Sequence, residues 1–393
     1  MSSNQGSMGN LSPPPPPPGL RELSTAKAYN KREIRMLLYK PNVAKAEVRL
    51  SLPEAQADYK SLSEVHNVNK GSHTNRSHPH ILPTVFPCTD GSRKCIHDGY
   101  AITLREVLDQ LRTPRSYIGV WKTVARNGQL LYYALEDKIV TIVRGVLDAL
   151  ICLLNEGKSI GSVTLDNIVF LANDPTFSHP LIIDCLVTGT GNDNADGSAG
   201  SSVGFNSLAD MISTQFTPGY PNIMKLASPA VTSFINCLRG AGSPHLHGGD
   251  AGERHEVMLL SHPLFLSHEQ HAAYVCKLSE QFRSNALNVT QLKVSDIMEV
   301  PTNVRAAKWD DLFRDPDIKH TVMHDQYHYF IARAPKVPYY DRSSVTSLVK
   351  LFRDRTTHGN DNGPTIAIEE YGSAIDMICP RLLPHLFEQY GFF

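Results

Sequence analysis

Ile160-Gly161-Ser162-Val163-Thr164-Leu165-Asp166-Asn167-Ile168-Val169-Phe170-Leu171 is a polar turn that runs into a short apolar segment. A second apolar run, Pro180-Leu181-Ile182-Ile183-Asp184, follows after a polar interval. Both have strand length and turn-forming flanks, so the spacing predicts two short strands. Upstream, Ile139, Ile142, Val143, Val146, Leu150, Leu153 and Leu154 recur at helical spacing. They predict a long helix over residues 135–156 with a buried stripe, ended by Gly157 just past its last turn. A long helix, a polar turn and a two-strand return are the centre of an α+β domain.

Working back from that centre, residues 101–111 read as a helix, and Ile81-Leu82-Pro83-Thr84-Val85 as an apolar run after a polar loop at 67–77. Lys45 to Leu50 reads as a strand, approached from Arg21 by a charged, helix-prone piece. Residues 1–27 form a tail containing six consecutive prolines, Pro13 to Pro18, which predicts disorder with local polyproline II geometry. Working forward, the Gly/Ser/Asn/Asp-rich stretches 188–202 and 240–252 read as loops. After Phe265 the chain is helical, rich in histidine and interrupted by prolines. Asp341 or Ser343 is a candidate cap for a helix whose Val345, Leu348, Val349 and Phe352 share an apolar face. An apolar helical segment around Leu382, Leu386 and Phe387 closes the chain.

Composition excludes several classes. With 38 basic against 39 acidic residues, a purely electrostatic nucleic-acid binder is not expected, although a local basic groove remains compatible. Seven scattered cysteines without a C-x-x-C pair indicate neither a zinc ribbon nor a disulfide framework. The most apolar stretch, 139–154, is broken by Arg144 and Asp148 and falls short of the ~20 apolar residues a bilayer span needs. With no secretory signal either, a cytoplasmic or nuclear protein is expected. His320, His324 and His328 recur every fourth residue, a pattern that suits either a metal site or a polar helix face.

The centre of the chain resembles a protein kinase. Kinases carry H-R-D-L-x-x-x-N and then D-F-G where this chain has Ile160-Gly161-Ser162-Val163-Thr164-Leu165-Asp166-Asn167 and then Asp184-Cys185-Leu186. His78-Pro79-His80-Ile81-Leu82 resembles the kinase H-P-N-I-V segment, and Leu260-Ser261-His262-Pro263-Leu264-Phe265 the closing L-x-H-P-F-F. Phosphoryl transfer needs a carboxylate to orient the hydroxyl, a lysine on the phosphates and a glycine-rich cover. Here Ser162 stands at the carboxylate position, Arg49 at the lysine position, and no G-x-G-x-x-G precedes it. Lys60 falls near the place of the partner glutamate. Asn167 and Asp184 remain, either as a degenerate nucleotide and magnesium site with weak ATP or ADP binding, or as ordinary loop and strand-end residues. Kinase catalysis is not expected; the resemblance implies a scaffold with a reduced N-lobe.

The last third, 265–393, carries Tyr340, the run Ser344 to Val349, and Arg353 followed five positions on by His358, and on these residues it resembles the kinase-extension nuclease (KEN) domain of the unfolded-protein-response sensor endoribonucleases and of ribonuclease L. That family's signature is a Tyr, then S-V-x-x-L-L, then R-N-x-x-x-H. This chain reads Tyr340, Ser344-Val345-Thr346-Ser347-Leu348-Val349 and Arg353-Asp354-Arg355-Thr356-Thr357-His358. Trp309 and the closing segment 382–390 also resemble the family. The resemblance implies an α+β pseudokinase lobe over 28–264 followed by an all-α KEN ribonuclease domain over 265–393. It implies metal-independent RNA cleavage, in which the substrate's 2′-hydroxyl attacks the phosphodiester and leaves a cyclic phosphate. No metal or cofactor is required for that chemistry. Tyr340, Arg353, Asp354 and His358 fall on the active-site positions. His358 and Tyr340 are the candidate proton donor and acceptor, in either order, and Arg353 the phosphate clamp. Asp354 replaces the family's Asn, and its carboxylate repels phosphate unless Arg353 or Arg355 neutralises it. Implied partners are RNA and a second copy or a related nuclease. The expectations are an endoribonuclease in RNA processing or mRNA decay, or a catalytically silent relative that binds RNA or forms mixed dimers. Arg353 is placed near the end of a helix over 345–352, and His358 in the loop beyond it.

Overall fold

Strand pairing, not helix formation, governs the start of the chain. The computed structural model describes residues 20–22, 27–29, 32–39, 44–50, 78–81, 84–87, 94–98, 100–111, 119–126, 128–155, 161–171, 174, 176–182, 198–217, 222–240, 258–284, 294–297, 308–314, 340–358 and 366–390. Strands β1 (Leu20–Glu22), β2 (Lys27–Tyr29), β3 (Arg32–Tyr39), β4 (Ala44–Leu50), β5 (Thr84–Pro87) and β6 (Lys94–Asp98) make one antiparallel sheet. Its order is β1-β3-β4-β6-β5, with β2 also pairing β3. This differs from two expectations: strands occupy residues 20–22 and 27, at the end of the stretch read as a disordered tail, and β3 stands where a helix-prone approach was expected. The charged residues of Arg32-Glu33-Ile34-Arg35-Met36-Leu37-Leu38-Tyr39 favour a helix when taken alone. Backbone pairing on both edges, with Glu33 in register with Arg49 and Arg32 with Tyr29, overrides that preference.

Strand β7 (Tyr100–Thr103) opens what the sequence suggested was a helix over 101–111, and α1 (Leu104–Leu111) supplies the rest. The switch has a local cause. Glu106 accepts the Thr103 N–H at 3.0 Å while the Thr103 hydroxyl oxygen accepts the Glu106 N–H at 3.3 Å, a reciprocal helix start. After a hairpin of β8 (Trp121–Arg126) and β9 (Gln129–Leu135), turned at Gly128 with φ +72, comes α2 (Asp137–Asn155). It is buried well beyond one stripe: Gly145, Leu147, Ala149 and Ile151 join the predicted Ile and Val positions. Gly145 lets β-strand flanks approach, since a methyl there would lie 2.7 Å from Pro180 Cγ and 2.9 Å from the His80 ring. Strands β10 (Ile168–Leu171) and β11 (Leu181–Ile182) pair antiparallel as expected, and β10 also pairs β7.

Helix α3 (Ser198–Asp210) continues into a π-helical turn, Met211–Gln215, and is followed by α4 (Pro229–Gly240). It begins inside the stretch read as a loop over 188–202; buried Phe205 and Leu208 anchor the helix. Residues 188–197 and 241–252 lie outside the described residues, as do Pro13 to Pro18. The remaining helices are α5 (His268–Arg283), α6 (Val294–Ile297), α7 (Val345–His358), α8 (Ile368–Ile378) and α9 (Leu382–Tyr390). No helix among the described residues is long and apolar enough to cross a membrane.

Among the described residues two apolar cores result. One draws on residues from Ile81 to Phe265, the other on residues from Ala272 to Leu386. Helix α9 joins them, with Phe387 in the first and Leu382, Leu383 and Leu386 in the second. Phe387 packs edge-on to His262 at 4.7 Å. His262 is fully buried, and its Nδ1 accepts the Leu264 N–H at 3.1 Å. Its Nε2 therefore carries the hydrogen and donates to Ser233 Oγ at 3.2 Å. Burial pulls its pKa from 6.5 down to about 3. The unfolded chain takes up a proton that the folded chain refuses, so this contribution to stability is whole above pH 6.5 and declines as pH falls toward 3. Thermal unfolding followed between neutral and acidic pH should show this decline. His262→Asn keeps the acceptor for Leu264 and should flatten the decline; an unchanged slope in that variant would contradict the assignment.

Candidate functional site

The site is built on α7 and on the turn that leads into it. Asp341 Oδ1 accepts the Ser343 N–H at 2.9 Å and its hydroxyl at 2.7 Å, closing a tight turn. The helix cap is Ser344, whose Oγ accepts from the Ser347 N–H at 3.4 Å. Asp341 and Ser343, the predicted caps, are instead consumed by each other. A 3-10 turn, Trp309–Arg314, clamps the segment from the side. The Trp309 indole donates to Asp341 O at 2.9 Å, its backbone N–H to Arg342 O at 3.0 Å, and Arg342 reaches buried Asp310 at 2.9 Å. Tyr340 is thereby delivered to one place beside the helix.

That place is the carboxylate of Asp354. The Tyr340 hydroxyl donates to Asp354 Oδ2 at 2.9 Å, and Arg353 Nη1 donates to Asp354 Oδ1 at 2.7 Å. Asp354 itself is only 5% exposed. Its hydrogen bond to Arg353 is the main reason that guanidinium holds its proton more tightly than usual. The helix periodicity that separates Tyr340 from Arg353 in sequence is thus overcome within one chain, by the turn before the helix. Arg355, on the other side of Asp354 in sequence, is 2% exposed, and burial lowers its affinity for a proton. Arg353 is the neutralising partner at hydrogen-bond distance.

His358 is the last residue of α7, not part of a loop beyond it. The helix runs past its apolar stretch, and there the Thr356 and Thr357 hydroxyls fold back onto the Phe352 and Arg353 carbonyls, each at 2.9 Å. A helix end inferred from Phe352 alone came too early because the last six residues are polar. His358 lies four positions after Asp354, so its backbone position is one turn further along the same face.

Two further residues belong to this site and were not singled out from the sequence. The ammonium of Lys350 lies 5.6 Å from the centre of the Tyr340 ring, a cation–π distance. Its spacing of four residues before Asp354 was a usable signal. Cys276 of α5 hydrogen-bonds Thr356 and feels Arg353 and Asp354; burial, the largest influence, raises its pKa. No local pattern marks Cys276, which reaches the site only because α5 packs on α7.

The kinase-like loop is differently committed. Asn167 is buried, and its Oδ1 accepts both the Thr164 N–H at 3.1 Å and the Thr164 hydroxyl at 2.7 Å. That oxygen is the one a magnesium ion would need, and both its lone pairs are in use. Asp166 forms a two-pronged pair with Arg105 at 2.7 and 3.0 Å, while Ser162 is exposed. Asp184, Lys60, His320, His324 and His328 lie outside the described residues, and of Arg49 only its place on β4 is described. Among the described residues no group of three His, Cys, Asp or Glu side chains is arranged to hold a metal ion.

No protein-family model matches this chain, and no curated protein does. Solved structures do. A mutant kinase domain of Mycobacterium tuberculosis PknI is 17% identical, covers 62% of this chain and 96% of its own, and aligns with a TM-score of 0.39. Rad53 1-466 in complex with AMP-PNP is 15% identical, with 63% and 66% coverage and a TM-score of 0.42.

Proposed function

We propose that this chain is an RNA-directed protein in which a kinase-like scaffold without kinase chemistry carries a metal-independent endoribonuclease site on α7. The observation that carries the reading is the meeting of Tyr340 and Arg353, thirteen positions apart in sequence, on one partner beside the helix that ends at His358. A phenol, a guanidinium and an imidazole are a sufficient set for transesterification. One group takes the proton of the 2′-hydroxyl as its oxygen attacks phosphorus. Another returns a proton to the departing 5′-oxygen, and the guanidinium balances the charge of the phosphorane. A single-stranded loop suits in-line attack because its backbone is splayed.

The second reading is a silent nuclease that binds RNA or pairs with an active relative, and Asp354 favours it. Its carboxylate occupies the two donors, Tyr340 and Arg353, that a substrate phosphate would use. The test is incubation of the purified chain with a stem-loop RNA in EDTA. Cleavage leaving a 2′,3′-cyclic phosphate, and absent in His358→Ala, supports the first reading. Cleavage that needs a divalent ion, or that His358→Ala leaves unchanged, rejects it.

A further inference from the structure

His271 sits where the two cores meet, and its surroundings accept hydrogen bonds from both ring nitrogens. Nδ1 is 2.6 Å from Asp376 Oδ2 on α8, and Nε2 is 3.0 Å from the Pro263 carbonyl at the end of the first core. A carboxylate and a carbonyl offer only lone pairs, so a ring that satisfies both carries two hydrogens and a positive charge. The residue is 8% exposed, and water is therefore a poor substitute for either partner.

We propose that His271 is a proton-operated latch: as an imidazolium it ties the Pro263 carbonyl to the Asp376 carboxylate, and its deprotonation unfastens α5 and α8 from the first core. A neutral ring has a single N–H. It must leave either the carbonyl or the carboxylate facing a lone pair, and a buried mismatch of that kind is destabilising.

The charged and titratable neighbours are consistent with the charged state. From α8 there is Asp376, and from α5, the helix of His271 itself, there is His268, 3.5 Å from that carboxylate on its more exposed side. From the residue that caps a short 3-10 turn, Pro263–Phe265, neutral His262 keeps its lone pair for Leu264 N–H and competes for neither partner. From α2, Arg144 lies 3.5 Å from the Phe265 carbonyl. Burial opposes the charge on His271, and the Asp376 hydrogen bond and charge, aided by the Pro263 carbonyl, outweigh it, so its pKa is raised above 6.5. The sign follows. The latch's contribution is whole below pH 6.5 and is lost as pH rises through the raised folded value, the opposite direction to the loss at His262.

The proposal stands apart from any nuclease chemistry, and so does its test. Ring nitrogens of histidine-labelled full chain are followed by NMR from pH 6 to pH 9, with His271→Gln assigning the signal. The expected result is a ring still protonated at both nitrogens at pH 6.5, losing one proton as pH rises, and doing so at lower pH in Asp376→Asn. In parallel, the wild-type melting temperature should fall by a few degrees over that alkaline range and the His271→Gln melting temperature should not. A His271 ring that is already neutral at pH 6.5 overturns the proposal. So does an alkaline loss of stability identical in wild type and His271→Gln.

Discussion

Gly372→Ala is expected to destabilise the second core by roughly 2–3 kcal/mol, although alanine is the better helix former. A methyl group at this position of α8 would lie 1.7 Å from the His268 carbonyl oxygen, 2.4 Å from its carbon and 2.9 Å from its Cα. All three are backbone atoms in the first turn of α5, so no side chain can rotate out of the way. The helices must separate. Tyr371, Ala374 and Ile375, buried on either side of the glycine, would lose packing with them. The helix-propensity gain of ~1 kcal/mol is too small to offset this. Urea unfolding measures the effect as a lower midpoint with an unchanged slope. A midpoint equal to or above that of the wild type would show that the helices do not approach so closely.

Asp354→Asn is expected to raise RNA cleavage in EDTA about 100-fold, equivalent to ~2.7 kcal/mol of transition-state stabilisation. The effect is electrostatic. At present the carboxylate balances Arg353 at 2.7 Å and accepts from Tyr340 at 2.9 Å. A phosphate arriving at Arg353 must compete with that internal anion and is repelled by it. An amide of the same shape still accepts from Tyr340, removes the negative charge and offers donors to phosphate oxygen. The measurement is single-turnover cleavage of a stem-loop RNA by wild type, Asp354→Asn and the double variant with His358→Ala. Gain in the first variant and loss in the double variant supports a site restrained by its own aspartate. Equal rates in wild type and Asp354→Asn sink the restraint.

The proton latch and the restrained site share a structural element. Helix α5 holds His271 at one end, while further along Cys276 hydrogen-bonds Thr356 of α7.

Parts of this arrangement were legible without coordinates. The apolar positions of α2 repeat at 3.6 residues, and the helix lies at 137–155 against an expected 135–156. Strands β10 and β11 were visible as apolar runs between polar turns, and Val345, Leu348, Val349 and Phe352 as the buried face of α7. Tyr340, Arg353 and Asp354, candidates by resemblance alone, do meet in the packed chain. Where local composition and tertiary context disagreed, the reading failed. Charged β3 looked helical, the Gly/Ser-rich start of α3 looked like a loop, and polar residues 353–358 looked like the end of a helix.

Periodicity and motif, properties of neighbouring residues, therefore determined which segments are amphipathic and which side chains are candidates for chemistry. Only the packed chain decided that Asp354 claims both Tyr340 and Arg353, that Asn167 spends its oxygen on Thr164, and that His271 meets Asp376 across 105 positions. The physical reason is range: a helix or strand preference is set by a few adjacent torsions, whereas a hydrogen bond between distant groups exists only after burial has chosen which helices touch.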